Sequence, residues 1–147
     1  MTRKRIRENL YILLFQMDFH EKDDRIEQAD IYLDGMESAD ATKKAKSELK
    51  ERFQAVLGHM DEIDRTIEEK ARGWELSRLA KSDLTVMRLA VFEILYDEDV
   101  PNGVAINEAV ELAKRYGGDK STRFVNGVLA SVVKDQPQPD GKVENEE

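Results

Sequence analysis

The sequence contains no cysteine, and this absence removes several kinds of site at once. Thiolate zinc sites, iron–sulfur clusters and cysteine nucleophiles all need that residue. Long apolar runs are also missing, because no stretch approaches the ~20 residues that cross a membrane. The basic start of the chain is followed by an amphipathic pattern rather than the apolar core of a signal peptide. We therefore expect a soluble, unprocessed cytoplasmic protein that needs no disulfide or metal to fold.

Residues suited to catalysis or metal binding are equally scarce. The two histidines, His20 and His59, lie far apart and fit no ligand spacing such as HExxH. The segment YGGDKS differs from a phosphate-binding loop, which needs Gly-x-x-x-x-Gly-Lys-Ser/Thr after a strand. Neighbouring carboxylates have no nucleophile or base beside them. The sequence thus predicts no enzyme, no cofactor, no metal site and no small-molecule substrate.

Apolar residues recur with helical spacing from the start of the chain to Val133, and no alternating segment indicates a strand. We predict an all-α fold of about six to seven helices. Gly58 predicts a break between two of them, and Ser82 and Asp119 are predicted N-caps. Within the last helix Gly127 costs about 1 kcal/mol relative to alanine, so we expect a close helix crossing there.

The end of the sequence has a different composition. Residues 135–147 include two prolines and hardly any apolar side chain. Such a segment cannot bury enough apolar surface to become ordered. We therefore predict one helical domain over residues 1–134 and a disordered acidic tail over residues 135–147.

Positive charge is concentrated at two places, although the formal net charge is −8 and by itself argues against nucleic acid. Cations at the start of a helix oppose its macrodipole by roughly 0.3–1 kcal/mol each, so they need compensation. Each cluster is explained either by a solvated helix end or by phosphate binding. Single-stranded RNA is bound by such a mixture of cations and an aromatic ring. The clusters are the basic arm (Arg3, Lys4, Arg5 and Arg7) and the second cluster (Lys120, Arg123 and Phe124) in GGDKSTRF.

Three segments in this order resemble the NusB family of bacterial transcription antitermination factors. They are RIRENLYILLFQ, WELSRLAKSDLTVMRLAVFEILY and VPNGVAINEAVELAKRYGGDKSTRFVNGVL. The resemblance implies two packed helical bundles and a role without catalysis. It also implies binding to NusE, a small-subunit ribosomal protein, and to boxA RNA in nascent ribosomal RNA transcripts. In that role the protein joins the RNA polymerase antitermination complex and supports processive transcription.

The resemblance further assigns residues to these partners. It joins the basic arm and the second cluster into one RNA surface, and it places Phe15, Phe19, Ser77 and Asp83 where the family meets NusE. Two positions depart from the family pattern. Phe15 replaces a frequent tyrosine and removes a hydroxyl partner, and Lys120 stands where an acid is often found and adds positive charge to the RNA face.

Two other functions are weighed against this interpretation. A NusB-like domain also occurs in ribosomal RNA cytosine methyltransferases, but these 147 residues contain neither a Rossmann-type glycine loop nor a cysteine. A helical protein-interaction adaptor without direct RNA contact would suit the net acidity. The sequence leaves open the oligomeric state, the RNA sequence preference, and whether Phe124 stacks on a base or packs in the core.

Overall fold

The fold is described over residues 1–136 by a computed structural model of the chain, and the regular structure in that part is entirely helical. This confirms the predicted all-α class. Residues 137–147, most of the predicted acidic tail, lie outside the described part. Within residues 1–136, no helix is long and apolar enough to cross a membrane. The α-helices of this part are α1 (Arg3–Met17), α2 (Arg25–Asp34), α3 (Lys43–Gly58), α4 (Met60–Lys70), α5 (Lys81–Tyr96), α6 (Asn102–Tyr116) and α7 (Asp119–Lys134).

The helix boundaries confirm the predicted break at Gly58 but not the two predicted N-caps. α5 begins at Lys81, so that Ala80 occupies its N-cap position, and α7 begins after Gly118. In both cases the chain leaves the extended conformation earlier than expected. Ser82 and Asp119 therefore lie within the first turn. Asp119 still complements the positive end of the α7 macrodipole from that position.

The chain divides into two compact units, and the first comprises Met1–Gly58. In this unit α1 packs against α3, and α2 packs against both. The Tyr32 hydroxyl of α2 donates a hydrogen bond of 3.1 Å to Asn9 Oδ1 of α1. The core forms because apolar side chains recur on one face of each helix. Its fully buried members include Leu10, Leu13, Leu14, Leu49, Phe53 and Val56.

The second unit begins at His59 and is organised around α5, which contacts α4, α6 and α7. Every residue of α5 from Leu84 to Ile94 is buried, as expected for a helix that is covered on all sides. Two of these residues, Arg88 and Glu93, have ionisable side chains, and Arg88 has its carboxylate partner in α4. The Arg88 Nε and Nη2 atoms donate to Asp64 Oδ1 and Oδ2 at 2.8 and 2.9 Å. This bidentate pair links α5 to α4.

The expected close helix crossing at Gly127 is wrong. Gly127 is exposed, and a Cβ atom built on it would meet nothing within 4 Å among the described residues. Its neighbours in α7, Val125 and Val128, face the core, so Gly127 falls on the solvent side. The packing of the second unit therefore does not require a glycine at this position.

Gly127→Ala is therefore expected to stabilise the protein by about 0.4–1 kcal/mol, because alanine lowers the backbone entropy of the unfolded chain without a clash. Urea unfolding followed by circular dichroism measures the change. Gly117→Ala provides the contrast, since its Cβ would lie 2.5 Å from Ser121 Oγ and 2.9 Å from the Ala113 carbonyl oxygen. That variant should be less stable than the parent. A Gly127→Ala variant no more stable than the parent would contradict the solvent-side assignment.

Candidate functional site

The basic arm occupies the first turns of α1. Thr2 caps this helix, since its Oγ1 accepts a hydrogen bond of 3.1 Å from the Arg5 amide. Arg3 and Lys4 are exposed and Arg5 is half-buried, whereas Arg7 is only 9% exposed. The arm is thus one exposed cationic turn followed by a buried arginine.

Carboxylates from other parts of the first unit meet the two outer arginines of the arm. Arg5 donates from Nε to Asp40 Oδ2 at 3.1 Å and from Nη2 to Asp40 Oδ1 at 3.2 Å. Hydrogen bonds from Arg5 and Ser38 lower the pKa of Asp40 to about 2. Arg3 Nη1 lies 2.9 Å from Glu48 Oε2. These anions offset the repulsion between the cations and the helix macrodipole.

The second cluster begins at the tight turn between α6 and α7. The Gly117 amide donates to the Ala113 carbonyl at 2.8 Å and ends α6. Lys120 and Arg123 are exposed, and Phe124 is half-buried. A glycine is needed at 117 because Ser121 and Ala113 occupy the space of a side chain. The turn therefore brings Lys120 and Phe124 to the surface within one turn of α7.

Phe124 forms part of the wall of an open pocket of about 320 Å³ in the second unit. Its ring meets Trp74 edge to face, with the ring centroids 6.3 Å apart and an interplanar angle of 68°. Trp74 is 51% exposed, so its indole is available at the rim. Phe124 is thus neither fully exposed nor part of the core. The pocket is lined by Trp74, Arg78, Leu79, Ala80, Asp83, Lys120, Ser121 and Phe124.

The pocket also contains a carboxylate oxygen whose hydrogen bonding is incomplete. Asp83 Oδ1 is buried and has no hydrogen-bond partner among the described residues. A buried acceptor without a hydrogen-bond partner is uncommon in proteins. Separately, no cluster of acidic or histidine side chains in residues 1–136 is arranged to hold a metal ion.

The four residues assigned to NusE are divided between the two units. Phe15 lies in the last turn of α1 and Phe19 in the turn that follows this helix, with ring centroids 5.7 Å apart, and Phe19 is 65% exposed. Ser77 is exposed in the short 3-10 helix Leu76–Arg78, and Asp83 lies in the first turn of α5. Phe19 and Ser77 are therefore accessible, while Phe15 is half-buried.

Sequence reasoning missed several residues of these sites. Trp74 and Arg78 line the pocket, and Asp40 and Ser38 hold Arg5. The sequence offered a signal for Trp74, because it is the only tryptophan of the chain and follows a glycine. That glycine, Gly73, has a positive φ of 79° in the turn before Trp74. No local pattern marks the other three residues.

Comparisons with known proteins agree on one family. The NusB family profile matches residues 4–134. The transcription antitermination protein NusB of Agathobacter rectalis is 48% identical over 130 residues, which is 88% of this chain and 98% of that protein. The structure of T. maritima NusB has a TM-score of 0.83 at 33% identity and covers 96% of both chains. At 24% identity, the fold also matches a crystal structure of NusB and NusE with double-stranded RNA, with a TM-score of 0.73 and coverage of 92% of this chain and 100% of that one. The chain therefore belongs to the NusB family.

Proposed function

We propose that this chain is a cytoplasmic transcription antitermination factor that binds boxA RNA together with NusE in nascent ribosomal RNA transcripts. It acts by binding, without catalysis, and supports processive transcription within the RNA polymerase antitermination complex. The family match over residues 4–134 carries this proposal. The relatives are named for transcription antitermination, and the fold itself has been crystallised with NusE and RNA, so it is compatible with both partners.

In the second unit, the Trp74 and Phe124 pocket is proposed to receive an RNA base. The two rings present apolar faces and edges to the same space, and its volume of about 320 Å³ accommodates a flat heterocycle. Every base has a π-face that stacks on an aromatic side chain. Lys120 lines the same pocket and supplies a positive charge for the adjoining phosphate. The half-buried ring of Phe124 suits this role, because it is held in position and still accessible.

In the first unit, the arm is proposed to supply phosphate contacts. Arg3, Lys4 and Arg5 present their charges at the surface, and arginine forks match the oxygens of a phosphodiester. Arg7 is assigned a supporting role, because its side chain is buried. Since the arm and the second cluster belong to different units, their union into one RNA surface stays a prediction.

NusE is proposed to contact Phe15 and Phe19 in the first unit and Ser77 and Asp83 in the second. Exposed aromatic side chains are enriched at protein interfaces, which supports the choice of Phe19. Asp83 lines the pocket that also contains Phe124. A NusE donor paired with Asp83 would therefore lie beside an RNA base held by Phe124.

The expected result of an RNA titration is that NusE raises the affinity of this chain for RNA carrying boxA. The net charge of −8 repels phosphate at long range, and a second subunit enlarges the contact surface. Fluorescence anisotropy of a labelled single-stranded boxA RNA, with and without NusE, measures this. RNA of the same composition with a scrambled boxA is the control. Equal affinity with and without NusE would contradict the partner role, and no RNA binding in either case would favour the adaptor without RNA contact.

A pair of variants makes the same titration specific. Phe19→Ser should abolish the gain that NusE provides, because it removes an exposed ring from the proposed contact. Ile31→Ser is the matched control, since Ile31 is also exposed in the first unit, at 58%, and is not assigned to any partner. If NusE raises the RNA affinity of both variants equally, Phe19 is not part of the interface with NusE.

A further inference from the structure

The Arg5 guanidinium binds a carboxylate of the same chain in the geometry with which arginine binds a phosphate. Two of its nitrogens, Nε and Nη2, donate to the two carboxylate oxygens of Asp40 at 3.1 and 3.2 Å. Nη2 also lies 3.4 Å from Ser38 Oγ. The planar fork of arginine matches carboxylate and phosphate in the same bidentate manner. The donors that would bind RNA are therefore occupied by an anion from the chain itself.

The Asp40 carboxylate, which accepts these hydrogen bonds, is held in position by Ser38. Ser38 Oγ donates to Asp40 Oδ1 at 2.7 Å, which orients the carboxylate toward α1. The neighbouring Arg3 donates from Nη1 alone to Glu48 Oε2, which also accepts from Arg52 Nε at 3.1 Å. All of these residues belong to the first unit. Both outer arginines of the arm thus have internal carboxylate partners.

We propose that Asp40, oriented by Ser38, is an internal competitor for RNA phosphate that must leave Arg5 before the arm can bind RNA. This inference rests on the proposed RNA-binding function of the arm. Displacing Asp40 costs the same free energy for every RNA. RNA that offers only phosphate contacts has the least binding free energy to offset this cost. Its binding is therefore weakened to the point of loss before that of boxA RNA. Asp40 acts as a residue that limits non-specific binding.

The strength of the contact is compatible with competition. Ion pairs near the surface are weak, so a phosphate can replace the carboxylate. The pKa of Asp40 is lowered from 3.8 to about 2 by its hydrogen bonds to Arg5 and Ser38. Because the pKa is lowered, the pair contributes its full stabilisation at pH values above the ordinary carboxyl pKa of 3.8. That stabilisation is lost as the pH falls through about 2. Asp40 is therefore ionised at physiological pH, and phosphate rather than acid is expected to open the contact.

Asp40→Asn tests the inference, with Asp30→Asn as the matched control. Both changes remove one negative charge from the first unit, and Asp30 also belongs to an ion pair, with Lys50 Nζ at 3.0 Å from its Oδ1. We expect Asp40→Asn to bind single-stranded boxA RNA and poly(U) of equal length about two- to fivefold tighter than the parent. Asp30→Asn should change both affinities less. Fluorescence anisotropy at constant salt measures them, and thermal melting checks that each variant is folded.

The Arg5→Ala background shows whether the gain acts through Arg5. There, the additional Asp40→Asn change should leave the affinity unaltered. Equal effects of Asp40→Asn and Asp30→Asn, or a gain that persists without Arg5, would overturn the inference. Ser38→Ala keeps the carboxylate and removes the hydroxyl that orients it, so this variant should also bind RNA more tightly than the parent. An unchanged affinity would count against the inference. If neither the parent nor any variant binds boxA RNA, with or without NusE, the proposed function itself fails.

Discussion

Arg88→Ala is expected to lower the free energy of unfolding of the protein by about 1.5–3 kcal/mol, because it removes two charge-assisted hydrogen bonds to Asp64. Arg88 is 8% exposed and donates two hydrogen bonds to Asp64 at 2.8 and 2.9 Å. The Asp64 side chain is 23% exposed, so water replaces only part of what its carboxylate loses. The substitution also deletes a large side chain from α5, which is covered by helices on all sides. Urea unfolding followed by circular dichroism measures the loss.

The control for this prediction is an arginine in a comparable pair that is less buried. Arg52 Nε lies 3.1 Å from Glu48 Oε2 within α3, and the two side chains are 24% and 33% exposed. Arg52→Ala should cost less than about 1 kcal/mol, since such pairs contribute little. Replacing Arg88 and Asp64 together by methionine and leucine should recover much of the stability. If Arg88→Ala and Arg52→Ala unfold at the same urea concentration, the Arg88–Asp64 pair does not have the assigned role.

Phe124→Leu is expected to weaken the binding of boxA RNA by about 1–3 kcal/mol, because a base loses its stacking partner. Trp74→Leu should act in the same direction, since the two rings meet at 6.3 Å in the wall of one pocket. The slope of affinity against salt should change little, because no charge is removed. RNA titrations of both variants at several salt concentrations measure these effects.

Tyr96→Leu separates stacking from stability in this experiment. Tyr96 is a half-buried aromatic residue of the same unit that stacks on His59 at 3.8 Å and lies outside the pocket lining. Its loss should lower the melting temperature and leave the RNA affinity of the folded protein intact. If Phe124→Leu behaves like Tyr96→Leu, Phe124 is a packing residue and the pocket does not receive a base.

The helices could be predicted from the sequence because their cores repeat one local pattern. The apolar residues of α1, such as Leu10, Leu14 and Met17, recur at the spacing of one helix face, and they are buried as expected. Gly58 likewise marks the end of α3. The environment of Gly127 was not predictable in this way. A glycine in a helix indicates either a close contact or no requirement at all, and only the tertiary structure distinguishes the two.

The candidate sites depended more heavily on contacts between distant residues. The basic character of the arm is local and was evident, but its pairing with Asp40 joins residues 35 positions apart and leaves no local signal. The Trp74 and Phe124 pair joins residues that are farther apart still, by 50 positions. Arg7 shows a different limit. Charged residues near a chain end are usually solvated, yet Arg7 precedes Leu10 and Leu14 by three and seven positions and is buried with them.

The central position of α5 also has a kinetic consequence. α5 contacts α4 and α6, which are its neighbours in the sequence, and α7, from which only α6 separates it. Contacts between segments close in the chain require short loops to close, and proteins rich in them fold fastest. The core of the second unit can therefore assemble from sequential neighbours as the chain collapses. Rapid coverage of α5 limits the time during which its apolar surface is open to association with other unfolded chains.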